Sequence, residues 1–156
     1  MDLLRKVMKT TVAVAAVALI GISHAEKPPS KGEQALKYRK SVYQTIAWNF
    51  GPLAAMVQGK VPFDTKDFAV RADRVAFLVP LLQEAYGPET RDVAGSKLKP
   101  LMWDQRADFD HRLDVAIQRS QELAKTARTG DVAKSKAAFV ATADACKACH
   151  EQYRSD

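Results

Sequence analysis

The sequence predicts an all-α chain, an antiparallel four-helix bundle, and three observations carry that prediction. Beyond residue 30, apolar residues recur at the 3.6-residue period of helices in four separate stretches. Connections rich in Gly, Pro and Asp separate those stretches. No segment alternates apolar and polar residues in the two-residue rhythm of a half-buried strand, and no internal repeat is present.

The chain of 156 residues opens with Arg5, Lys6 and Lys9, followed by an uncharged run from Thr10 to Ile22 and the small residues Ser23 and Ala25. A basic start, a short apolar core and small residues at its end make a secretory signal peptide, residues 1–25, cleaved after Ala25. The apolar run is shorter than the roughly 18 to 20 residues that span a bilayer, so a membrane anchor is not expected. Residues 26–156 then form one domain, large enough to bury its own core, in a soluble exported protein with no membrane contact after cleavage. The leader takes three of the 24 basic residues and one of the 18 acidic ones, which leaves a formal charge of +4. That charge is spread along the chain, and no dense Lys/Arg run argues for nucleic acid.

In the first helical stretch, about Gly32 to Val57, Arg39, Val42, Tyr43, Ile46, Phe50, Leu53 and Val57 fall on one face. Gly51 and Pro52 interrupt the stretch, and because the period continues past them the spacing predicts a bend there and not a stop. Gly59, Pro62 and the cap Asp64 mark a connection. The second face is Phe68, Ala72, Val75, Val79, Leu82 and Tyr86, with Pro80 kinking or locally breaking the helix. Gly87 to Pro100 is the longest loop. A third helix begins near Pro100 and turns Phe109, Leu113, Ala116, Leu123 and Ala127 inward. Thr129, Gly130 and Asp131 end it and cap the fourth, whose inner stripe is Val132, Phe139, Ala143, Cys146, His150 and Tyr153.

That last stripe contains Cys146-Lys147-Ala148-Cys149-His150. Two thiols three positions apart followed at once by an imidazole form the attachment signature of c-type haem: the sulfurs of Cys146 and Cys149 add to the vinyl groups and His150 ligates the iron. On a helix the three side chains leave one face and can meet one flat macrocycle. A thiol redox centre would need a strand and helix of thioredoxin type, which do not surround the motif. A zinc site would need a second ligand pair, but the chain has only these two cysteines and three histidines. One covalently bound haem c per chain is the expected cofactor, and its attachment outside the bacterial inner membrane agrees with an exported, periplasmic protein.

With these residues in view, residues 26–156 resemble the cytochrome c prime family, the four-helix class of c-type cytochromes. The resemblance rests on Lys37-Tyr38-Arg39-Lys40-Ser41, Phe50-Gly51, Pro100-Leu101-Met102-Trp103, Phe109, and Cys146 through Arg154. It implies that Arg39 meets a haem propionate, that Lys40 takes the adjacent haem-contacting position, where glutamine is common, and that Lys97 touches haem from the loop. Arg154 matches the basic residue beside the proximal histidine; its bland alternative is a surface charge. Relatives are commonly homodimers that pair through the first two helices.

The sixth position of the iron then decides the mechanism. His111 lies two residues beyond the inner Phe109, about 200° around the helix, and is expected to face outward. Met56 stands more than three turns beyond Arg39, too far to reach the iron, and Met102 reads as core. The residue expected to face the open side is Tyr43, one turn beyond Arg39, where relatives place a bulky apolar or aromatic shield. Tyr43 also reads simply as a core aromatic, and both roles can hold. The expectation is a five-coordinate, high-spin iron that binds nitric oxide and carbon monoxide behind Tyr43 and can change its charge by one electron. The alternative is a dedicated electron carrier with low-spin haem and a periplasmic redox partner. An enzyme is not expected, since the predicted distal face of Val42, Tyr43 and Ile46 offers no base for peroxide chemistry.

Overall fold

The computed structural model describes residues 27–155; the leader expected over residues 1–25 lies outside them. Four long helices make the body of the fold: α1 (Lys31–Val57), α2 (Thr65–Leu78), α4 (Arg106–Ala127) and α5 (Val132–Tyr153), with the single turn α3 (Leu101–Asp104) ahead of α4. None of the described helices is long and apolar enough to cross a membrane.

Local chemistry sets the starts. Ser30 and Glu33 form a reciprocal capping box at α1, satisfying two of the backbone donors that a helix start leaves free. Asp64 caps α2 by accepting from the Lys66 and Asp67 amides, and Asp131 caps α5 by accepting from Lys134. Between α4 and α5, Gly130 adopts φ +74, a conformation that costs a residue with a side chain far more. α1 passes unbroken through Gly51 and Pro52.

The middle of the chain meets one expectation and corrects another. At Pro80 the second helix breaks, as one of the two expected outcomes had it: it ends at Leu78 and continues as a 3₁₀ segment, Val79–Ala85, because the proline withdraws one donor and crowds the preceding turn. The third helix is not continuous from Pro100. Gln105, at φ −118 and ψ 39, breaks it, and its side-chain oxygen is turned to the Tyr153 hydroxyl and the Gln152 amide. Val132, placed on the inner stripe of the last helix, is 37% exposed; as the first helical residue it precedes the packed part of α5.

α1 and α2 run antiparallel. At one end Tyr38 donates to Glu84 and Arg39 to the Ala85 carbonyl, and at the other Leu53 and Met56 pack with Phe68 and Ala72. The core divides into two clusters. One gathers Leu53, Phe68, Val75, Leu123 and Phe139; the other gathers Val42, Leu82, Tyr86, Met102, Phe109, Leu113 and Tyr153. Each fully buried Leu or Phe in them contributes about 1.5 to 3 kcal/mol. α5 packs chiefly on α4 and α2 on both α1 and α4, whereas α1 and α5 meet only sparingly. That thinly packed side of the bundle holds the site.

Candidate haem-binding site

A cavity of about 550 Å³ lies between α1 and α5, and it is lined mostly by apolar groups. Cys146, Cys149 and His150 line it from α5; Arg39, Lys40 and Tyr43 line it from α1; Lys97 and Arg154 reach it from the loop and from the end of α5. These eight residues, expected from the sequence to surround a haem, therefore border one space, whereas Val42 of the expected distal face turns into the second core cluster.

The geometry of each follows from its element. Cys146, Cys149 and His150 are half-buried on one side of α5, as their i, i+3, i+4 spacing dictates. Burial pushes both thiols above their ordinary pKa, and burial followed by the nearby Arg154 charge lowers that of the imidazole. Arg39 is only 5% exposed; its guanidinium donates to the Ala85 carbonyl at 3.3 Å and to the Ser96 hydroxyl at 2.9 Å, and lies 4.6 Å from the centre of the Tyr86 ring. Lys40 is exposed, with its ammonium near Gly95 in the long loop.

The loop and the end of α5 are tied by backbone. Leu98 and Arg154 form an isolated antiparallel bridge; Lys99 N–H donates to the Tyr153 carbonyl at 2.8 Å and Ser155 N–H to the Lys97 carbonyl at 2.9 Å. Lys97, the least local of the inferred contacts, is brought beside Arg154 by this pairing.

Tyr43 stands with its ring centroid 6.0 Å from that of His150, edge to face, and its hydroxyl pairs with that of Tyr86 at 2.8 Å. Burial, above all, raises the Tyr43 phenol well beyond its ordinary pKa, so it remains a neutral hydroxyl. The other strong iron donors are elsewhere. Met56 is buried in the first cluster and Met102 in the second, neither bordering the cavity, and His111 is exposed on α4.

Three residues that sequence reasoning passed over also shape the site. Tyr86, which helical period marks only as an inner-face aromatic, lines the cavity beside Tyr43. Asp108 accepts from the Tyr153 hydroxyl and pairs with Arg112 at 2.6 Å, and Arg112 also donates to the Ala148 carbonyl within the cysteine motif. The Asp108 and Arg112 spacing announces an ion pair along α4, but nothing local announces its reach to α5.

The donor set fits a covalently held haem. The cavity volume lies within the usual range for cofactor pockets. Two thiols and one imidazole leave the same helix face, apolar walls suit a porphyrin, and Arg39, Lys40, Lys97 and Arg154 supply positive charge for its carboxylates. A helical bundle with this constellation is a c-type cytochrome of the four-helix class.

Comparison with known proteins gives the family. A sequence model described as cytochrome c' matches residues 34–154, and the chain belongs to the cytochrome c' family, whose members carry covalently bound haem c. It is 39% identical over 124 residues to cytochrome c' of Rubrivivax gelatinosus, covering 80% of this chain and 96% of that protein. The crystal structure of that relative matches with a TM-score of 0.75 over the same shares of the two chains. Cytochrome c prime from Shewanella frigidimarina matches with a TM-score of 0.78 at 34% identity, covering 82% and 99%. A nitric oxide complex of a variant of cytochrome c prime from Alcaligenes xylosoxidans matches with a TM-score of 0.75 at 31% identity, covering 82% and 98%.

Proposed function

We propose that this protein is a periplasmic gas-binding cytochrome whose iron is five-coordinate and high-spin, taking nitric oxide or carbon monoxide on the side shielded by Tyr43. The observation that carries the reading is the donor inventory of the cavity: His150 borders it, while Met56, Met102 and His111 do not. The haem supplies an iron that binds diatomic gases and exchanges one electron.

The chain's own residues do the rest. His150 holds one axial position, and Cys146 and Cys149 fix the macrocycle against α5. Tyr43, as a neutral phenol, keeps water and anions from an apolar space in which charge is costly, so small uncharged ligands are favoured over azide or cyanide. Nitric oxide complexes among the solved relatives support the same reading. We read the site as a binder: of the expected distal face, Tyr43 and Ile46 border the cavity, and neither is a general base for peroxide chemistry.

A second reading, an electron carrier with a redox partner, is favoured by the exposed cationic rim of Lys40, Lys97 and Arg154. In its low-spin form it needs a second strong ligand, and no second histidine and no methionine among the described residues borders the cavity. Absorption spectra of the ferric and ferrous protein, with and without nitric oxide, separate the two. High-spin bands that shift with the gas support the first reading, and a methionine-to-iron charge-transfer band would eliminate it.

The chain also pairs with a second copy through α1 and α2. Trp48 on α1 is 77% exposed and Phe77 on α2 is 71% exposed. The antiparallel register set by Arg39 and Ala85 brings these two aromatics to the same level of the helix pair. Intact mass of the exported protein tests its address: a chain beginning at Glu26 and carrying one haem is expected, and a retained leader would refute it.

A further inference from the structure

The Tyr43 hydroxyl is paired with that of Tyr86 at 2.8 Å, and the two partners are held very differently. Tyr86 is fixed on several sides. It is 5% exposed, its ring meets Phe109 edge-on with centroids 4.7 Å apart, and the Arg39 guanidinium lies 4.6 Å from its centre. Its carbonyl accepts from Arg106 at 2.9 Å. Both rings border the cavity, but Tyr43 meets only His150 edge-on among the described aromatic and cationic contacts, so of the pair it is the less restrained.

We propose that Tyr86 is a positioning residue that latches Tyr43 over the binding side of the site, so that ligand entry requires breaking the phenol pair as well as displacing a ring. The proposal rests on the gas-binding reading and adds to it a determinant of rate that bulk alone does not supply. A ring that shields by size yields to a small ligand by rotating about its side-chain bonds. A ring whose hydroxyl is bonded to an immobile partner must also give up that bond, and inside an apolar cavity no water takes its place. Arg39 belongs to the same unit: one turn from Tyr43 on α1 and stacked on Tyr86, it links the rim of the cavity to the latch.

The test uses holoprotein and carbon monoxide. Tyr86→Phe removes one oxygen while keeping the ring against Phe109 and Arg39, and Tyr43→Phe removes the same hydrogen bond from its other end. Each is expected to raise the association rate of carbon monoxide with ferrous protein roughly two- to tenfold, the worth of one net hydrogen bond. The double variant is expected to be no faster than the faster single one, because both substitutions delete one interaction. A readout independent of ligand is the thermal midpoint, where the two losses are likewise expected not to add. An unchanged rate in Tyr86→Phe, or rates that multiply in the double variant, overturns the latch while leaving gas binding intact. Wild-type protein that takes up no carbon monoxide overturns both.

Discussion

The Tyr153 hydroxyl donates to the Asp108 carboxylate, joining the last turn of α5 to the first turn of α4 directly behind the cysteine motif. Its partner Arg112 does the most to hold the Asp108 carboxyl below the ordinary value, with Tyr153 adding to the effect. A carboxylate depressed in the folded state contributes stability above its unfolded pKa, and that stability is lost as pH falls through the folded value. Asp108→Asn is therefore expected to lower stability in the neutral region and to flatten the acid limb of the curve, as read by thermal unfolding across pH.

The same pair acts with opposite sign on the alkaline side. Burial first and Asp108 second push the Tyr153 phenol from 10.0 to about 12. A raised acid contributes stability that is complete below the unfolded value and is lost as pH climbs through the folded one, here between about 10 and 12. Tyr153→Phe is expected to remove that alkaline loss, measured as the midpoint of unfolding at pH 9 to 12.

Withholding the cofactor has a predictable cost. Because α1 and α5 touch little and the cavity between them is about 550 Å³, a chain carrying Cys146→Ala and Cys149→Ala loses the tether for the group that joins those helices. Its thermal midpoint by circular dichroism is expected to fall by tens of degrees relative to the haem-bearing protein. An equal midpoint would show that the helices close on each other unaided.

Gly32, in the first turn of α1, is buried against Glu89 and Val93, and a methyl group there would collide with the Glu89 carbonyl oxygen, which is backbone and cannot swing aside. Gly32→Ala is expected to destabilise the protein by about 1 to 3 kcal/mol in chemical denaturation, against the small gain that alanine usually brings to a helix.

For self-association, Trp48→Glu and Phe77→Glu are expected to weaken the pair of chains tenfold or more, since aromatic anchors carry most of the energy at such contacts. Sedimentation velocity reads this directly. Both side chains are exposed in the single chain, so its stability is expected to change little.

Much of this was legible in the linear sequence because its causes are local. Helical period placed Phe68, Phe109 and Phe139 in the core, Asp64 and Asp131 announced their caps, and one helix face aligned the two cysteines with His150. What was not legible has distant causes. The break at Gln105 leaves its side chain turned to Tyr153, 48 positions away, and Tyr43 meets Tyr86 across 43. Neither pairing leaves a period or a spacing to read. The outward turn of Val132 reflects where packing on α5 begins, which periodicity alone does not mark.

The backbone pairing of Lys97 through Lys99 with Tyr153 through Ser155 means that two cations bordering the cavity, Lys97 and Arg154, share one rigid frame. A change that displaces the loop therefore shifts both charges together on that one side of the cavity. A substitution at either position, or one that shifts the strap between them, is thus expected to move the electron affinity of the site through two charges at once, so the corner acts as a single dial.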